Sequence, residues 1–229
     1  MAETEAPPAP PATAKPSRDL VDRVIWGALL ATVAVTLDYL GHVPFAVLVG
    51  LIGVLMSWEW GRLVRSSEID AAHVLHAASV AIAVLLAALG YPALGIAALV
   101  AGAITILSLR FGDGAMLSAL GVLYVGIPAI ALLWLRWDEP YGFLAILLVF
   151  IVVWSTDTAA YATGRTLGGP KLWRAISPNK TWSGLIGGVL AAGIAAAVFA
   201  HFVDGASALR LGLVGMAMGA VSQAGDLAE

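Results

Sequence analysis

Between Trp154 and Gly188 the chain reads WSTDTAAYATGRTLGGPKLWRAISPNKTWSGLIGG, and its chemistry is concentrated there. Asp157, Arg165, Lys171, Arg174 and Lys180 fall within 24 residues of a protein whose charged fraction is only 12%. A phosphate or pyrophosphate group requires cationic partners, backbone N–H groups that can come close, and usually a divalent metal held by carboxylate. All three are supplied here. Arg165, Lys171, Arg174 and Lys180 bring charge, Gly164 and the Gly168-Gly169-Pro170 break allow close backbone approach, and Asp157 is a candidate metal ligand. Ser177-Pro178-Asn179-Lys180-Thr181 reads as a turn feeding a helix that opens near Thr181, where free N–H groups favour an anion. The competing reading is a loop that is basic only through the positive-inside bias of membrane proteins.

The elements that position this stretch are membrane spans. At 229 residues, 60% apolar content and a mean hydropathy of +0.92, the chain is too apolar for a soluble domain. An all-α, polytopic bundle of membrane helices is expected. Apolar runs near 24–40, 43–58, 74–90, 92–109, 116–135, 141–157, 184–203 and 209–225 give about eight transmembrane helices. Breaks are expected at Gly41-His42, Gly90-Tyr91-Pro92, Gly112-Asp113-Gly114, Asp138-Glu139-Pro140 and Asp204-Gly205. Residues 1–20 are read as a disordered Pro/Ala-rich cytoplasmic tail, and 21–229 as the transmembrane domain. The first apolar run lacks a convincing signal-peptidase site and should remain as an anchor. There is no cysteine, which excludes disulfides, thiolate metal sites and thiol nucleophiles.

With the N-terminus cytoplasmic, that side receives Lys15, Arg18, Arg23, Arg62, Arg65, Arg110, Arg165, Lys171, Arg174 and Lys180. Only Arg136 and Arg210 fall outside, a division of ten against two. The same orientation places the Asp157–Lys180 stretch and Asp226 on the cytoplasmic face. Asp226 ends the last apolar run as Asp157 ends the sixth, so two carboxylates can approach one ion from different helices.

The stretch resembles the CTP-dependent phosphatidate cytidylyltransferase family. The likeness lies in D-T-x-A-Y-x-x-G-R-x-x-G, here Asp157, Thr158, Ala160, Tyr161, Gly164, Arg165 and Gly168. It continues in S-P-x-K-T-x-x-G, here Ser177, Pro178, Lys180, Thr181 and Gly184. Trp58-Glu59-Trp60 and Leu123-Tyr124-Val125-Gly126-Ile127-Pro128 also look like the family, which extends the resemblance from about Val24 onward. There are two departures. Ser183 stands where many members carry glutamate, and the family's K-D and P-G-H-G-G-x-x-D-R signature, which follows a G-D-L-x-E segment, has no counterpart in a chain that ends Gly225-Asp226-Leu227-Ala228-Glu229. The sequence therefore reads as a fragment of the family's domain, lacking its C-terminal part and expected to be inactive alone.

The resemblance implies transfer of a cytidylyl group from CTP to phosphatidate, giving CDP-diacylglycerol and pyrophosphate, with Mg²⁺ as cofactor and no protein nucleophile. It implies catalytic roles for Asp157, Lys180 and Asp226, with Asp157 and Asp226 also holding the metal. Arg165, Lys171, Arg174, Ser177 and Thr181 would bind substrate phosphates. CTP, phosphatidate and the lipid bilayer are the implied partners, nucleic acid is not, and a homodimer is admitted. The implied location is a bacterial inner membrane with the site facing the cytoplasm. The alternatives are a related CTP-dependent lipid kinase or lipid-phosphate transferase, or a transporter-like membrane protein. Against a transporter, no inverted repeat is evident and the charge gathers at one face rather than at mid-membrane.

Elsewhere the residues favour structural roles. Trp58 and Trp60 suit an interfacial belt, and His73 and His76 lack the third ligand that a zinc site needs. Asp38 and Asp204 read as ordinary helix-end acids. Gly184, Gly187, Gly188, Ala191 and Ala192 read as a helix-packing surface.

Overall fold

The computed structural model describes residues 18–65, 70–109, 114–174 and 176–228. Of the tail expected over residues 1–20, residues 1–17 lie outside the described residues, as does the break at Gly112-Asp113, while 18–20 belong to the first helix. Eight α-helices run through the described chain: α1 (Arg18–Tyr39), α2 (His42–Arg65), α3 (Ala71–Ala88), α4 (Pro92–Ser108), α5 (Ala115–Arg136), α6 (Gly142–Thr166), α7 (Trp182–Phe199) and α8 (Ala208–Ala228). Two short strands, β1 (Lys171–Trp173) and β2 (Ser177–Thr181), pair antiparallel between α6 and α7. Each expected span corresponds to one helix. Five of them, α2, α3, α5, α6 and α7, are long and apolar enough to cross a membrane by length and composition, while the apolar parts of α1 and α4 are shorter. The protein is a polytopic, all-α membrane protein with a small β-hairpin inserted at one end.

Contacts between helix ends establish that successive helices alternate in direction. At one end, Arg136 Nη2 on α5 donates to the Asp38 carbonyl of α1 (3.0 Å), and His42 Nε2 on α2 lies 3.0 Å from the Ala88 carbonyl of α3. At the other, Trp60 Nε1 on α2 donates to the Leu117 carbonyl of α5 (2.9 Å). The hairpin lies at this second end, because α6 starts beside Arg136 and runs across to it, and the end of α8 joins it there, because Lys180 pairs with Asp226. Among the described side chains, Arg62, Arg165, Lys171, Arg174 and Lys180 belong to the hairpin end, and Arg136 and Arg210 to the opposite one.

Two packing units differ in chemistry. Helices α2–α5 enclose a core of bulky side chains that includes Phe45, Val80, Leu99, Ile106, Val122 and Leu133. Helices α6–α8 share a much smaller core of Val152, Ala192 and Ala196. Here the helices approach closely: a Cβ at Gly188 would lie 2.9 Å from the Thr156 carbonyl of α6. Small residues at such a seam allow backbone-to-backbone van der Waals packing, which lipid tails cannot supply to one helix alone.

Two expectations are corrected. Helix α6 does not end at Asp157 but continues to Thr166, because the run Thr158–Thr163 contains no breaker and a lone Gly164 is tolerated before Gly168-Gly169-Pro170. Asp38 is not an ordinary helix-end acid. It is fully buried, with Arg136 Nε 2.8 Å from its Oδ1, and Arg136 Nη1 also reaches Glu139 (3.3 Å). A buried carboxylate needs such a partner because the low-dielectric interior penalises an isolated charge.

Candidate functional site

The continuation of α6 past Asp157 builds the site. Asp157, Tyr161 and Arg165 follow at i, i+4 and i+8, so they stack along one face of the helix. Arg165 Nη1 donates to the Tyr161 hydroxyl at 2.6 Å, and its guanidinium lies 5.9 Å from the ring centroid. This face looks toward the start of α7 and the end of α8. Because Gly188 packs on Thr156, Asp157 lies at a depth of about 7.5 Å, some five residues, below the first residue of α7.

The hairpin forms the next wall. Thr181 is the N-cap of α7: its backbone is extended and its Oγ1 accepts from Gly184 N at 3.1 Å, satisfying one of the free N–H groups of the first turn. The strand preceding it pairs Lys171 with Thr181 and Trp173 with Ser177. Gly168 (φ 61°) and Gly169 (φ 105°) make the left-handed turn that leads into β1. The base of the hairpin is fastened on both sides: the Ser183 hydroxyl donates to the Gly168 carbonyl, and Trp182 N donates to the Pro170 carbonyl at 3.1 Å. Thr163 on α6 donates in turn to the Ser183 carbonyl at 3.2 Å. Ser183 thus has a local structural task of its own where the resembled family carries glutamate.

These walls enclose a cleft of about 630 Å³ that Asp157, Tyr161, Arg165, Lys171, Lys180 and Asp226 all line. Lys180 Nζ meets the Asp226 carboxylate directly, and the charges of both act on Asp157. Of the residues singled out in the sequence, Asp157, Asp226, Arg165, Lys171, Lys180 and Thr181 are brought together. Arg174 and Ser177 do not line the cleft: Arg174 lies exposed beyond β1, and Ser177 stands opposite Trp173 in the ladder. The Thr181 hydroxyl, buried at 6% exposure, is engaged by Gly184 N and lies 3.0 Å from Ser183 Oγ. Sequence reasoning missed Asn179 and Gln223 as lining residues and assigned no role to Tyr161. The signals were helical spacing and strand adjacency: Tyr161 stands midway between Asp157 and Arg165, Gln223 precedes Asp226 by one turn, and Asn179 adjoins Lys180.

The donor set fits a hard divalent cation in its chemistry. Two carboxylates from different helices provide oxygen ligands, and Mg²⁺ is commonly bound through one or two carboxylates with water and substrate phosphate completing its shell. Among the described residues no group of three or more His, Cys, Asp or Glu forms a fuller metal cage. The histidines expected to be structural do sit in packing roles. His73 Nδ1 lies 2.7 Å from Asp70 Oδ1 at the N-cap of α3, and its ring packs against Gly61. The Trp60 indole is likewise a packing element, 5.2 Å from the Tyr124 ring.

Fold and site together define a polytopic membrane protein with a cation-rich, two-carboxylate cleft at one membrane face, a chemistry matched to phosphorylated ligands. Comparison with known proteins is in accord. The model of the cytidylyltransferase family matches residues 21–229. The chain is 39% identical over 212 residues to the phosphatidate cytidylyltransferase of Brucella suis, covering 92% of this chain and 78% of that protein. To the phosphatidate cytidylyltransferase of Bacillus subtilis it is 28% identical over 235 residues, covering 92% and 83%. The chain belongs to the cytidylyltransferase family.

Proposed function

We propose that this protein is a phosphatidate cytidylyltransferase, transferring the cytidylyl group of CTP to the phosphate of phosphatidate. The observation that carries the reading is the meeting of Asp157 and Asp226 in one cleft with Arg165, Lys171 and Lys180, in a chain of this family. An oxygen of the lipid phosphate attacks the α-phosphorus of CTP in line. The bond from that phosphorus to the bridging oxygen breaks, and pyrophosphate leaves with its electron pair. Lys180, Arg165 and Lys171 offset the charge that grows on the phosphoryl oxygens, and their positions are set before substrate arrives by the hairpin register and the Tyr161 contact. No protein nucleophile is needed. Asp157 and Asp226 would hold Mg²⁺, which when bound supplies Lewis-acid neutralisation of the triphosphate.

The division of the basic residues supports a cytoplasmic site, where CTP is available, and in a bacterium an inner-membrane location. A homodimer belongs to the same proposal and is tested by light scattering of the detergent-solubilised protein. The test of the reaction uses CTP labelled at the α- or at the γ-phosphate, with phosphatidate and Mg²⁺ in detergent micelles. Cytidylyl transfer places only the α-label in lipid and is abolished by chelator and restored by Mg²⁺. Recovery of the γ-label in lipid would instead identify a lipid kinase, and labelling of neither, by this chain and by one extended with the C-terminal segment of a relative, would overturn the enzymatic reading.

A further inference from the structure

We propose that the β1–β2 hairpin is a membrane-surface arm: its turn seats Trp173 and Ile176 in the headgroup layer of an anionic bilayer, with Arg174 on the lipid phosphates. The base and the tip of the hairpin are chemically distinct. Lys171, Asn179, Lys180 and Thr181 line the cleft. Trp173 and Ile176 do not; they are 57% and 52% exposed, at a turn closed by the bond from Ile176 N to the Trp173 carbonyl (3.2 Å). Trp182 at the hairpin's base is also about half exposed. Two tryptophans and an isoleucine facing outward are costly in water but suit a bilayer interface, where an apolar body and a polar ring edge are both accommodated.

Geometry limits where this turn can be. The hairpin joins two membrane-spanning helices, α6 and α7, so its base is at the membrane face. A strand of three residues extends about 10 Å, comparable to the interfacial layer that flanks the hydrocarbon core. Charge selects the kind of surface. From Thr158 to Val203 the chain contains Arg165, Lys171, Arg174 and Lys180 and not one Asp or Glu. Arg165, Lys171 and Lys180 of this stretch line the cleft, where Lys180 meets Asp226, and Arg174 on the outer turn has no acidic partner among the described residues, so it is complementary to anionic lipid and not to zwitterionic lipid alone. Because β1 has Trp173, followed by Arg174, at one end and Lys171 in the cleft at the other, the arm also links the lipid surface to the proposed site. This last point rests on the cytidylyltransferase reading.

The full chain, which has no cysteine of its own, permits a direct test. Ile176→Cys carrying an environment-sensitive fluorophore is reconstituted in vesicles of phosphatidylcholine with or without phosphatidate. The expected result is a blue-shifted label quenched by a lipid-borne quencher and sheltered from aqueous iodide, more strongly when phosphatidate is present. Adding Arg174→Ala should raise the phosphatidate content needed for half the effect about fivefold. A label open to iodide and indifferent to lipid composition would overturn the proposal, as would one shielded from both quenchers, which would mark a protein interface. None of these readings requires turnover, so they stand apart from the outcome of the transferase assay. In that assay, Trp173→Ser should raise the apparent KM for phosphatidate while leaving that for CTP within about twofold; an equal rise in both would remove the link to the lipid substrate.

Discussion

Lys180 on β2 meets Asp226 in the last turns of α8, joining by an ion pair two residues 46 positions apart. The pair ties the hairpin wall of the cleft to the α8 wall.

Lys180→Ala is therefore expected to remove both a phosphate partner and this tie. In a chain extended at its C-terminus with the corresponding segment of a relative, CDP-diacylglycerol formation should fall about 30- to 1000-fold, equivalent to about 2 to 4 kcal/mol of transition-state stabilisation. Arg62→Ala removes a positive charge from the same membrane face, outside the cleft, and should change the rate little. Equal losses in two normally inserted variants would show that the hairpin charges serve only orientation.

The buried Asp38–Arg136 pair ties the end of α1 to the end of α5. Replacing one partner strands the other as an uncompensated charge, so Asp38→Ala should destabilise the protein by about 3 to 5 kcal/mol. The double variant Asp38→Ala with Arg136→Met should regain most of that loss. Thermal unfolding in detergent reads both, and a double variant no more stable than the single would refute the charge-burial account.

Gly188 of α7 packs directly against the backbone of α6 near the site. Gly188→Val places its first carbon against the Thr156 carbonyl, 2.9 Å from it, and branches further into that contact. The two helices should separate, with a stability loss of about 1 to 3 kcal/mol and a larger loss of transferase activity, since Asp157 and the α7 N-terminus move apart. An active variant of unchanged melting temperature would mean that the seam is more adaptable than its packing implies.

Orientation is open to thiol labelling. Arg62→Cys should react with an impermeant reagent only after cells are permeabilised, and Asp138→Cys, at the opposite helix ends, should react in intact cells. Both positions are exposed. The reverse pattern would turn the cleft away from the cytoplasm and from CTP.

The spans were legible because hydropathy and length against the bilayer are properties of the chain in one dimension. The start of α7 was legible for a similarly local reason: a threonine N-cap acts within three residues. The end of α6 was misread because a run of polar and charged residues ends an apolar stretch without ending a helix. Backbone hydrogen bonding continues through Thr158–Thr166, and that continuation brings Tyr161 and Arg165 onto the face of Asp157. The strand pairing of Lys171 with Thr181 lacked the alternating pattern that marks longer strands.

The sequence by itself determined a polytopic helical membrane protein, the division of its basic residues between two faces, and the motif residues of its family. Only the tertiary structure decided which of those residues share a space. It placed Lys171 and Lys180 in the cleft and left Arg174 on the outer turn, because Lys171 pairs with Thr181 at the base of the hairpin whereas Arg174 lies beyond the end of β1, at its tip. It also paired Asp38 with Arg136, 98 residues away. That partnership has no local signature, since the energy requiring it arises only when helix packing removes the carboxylate from water.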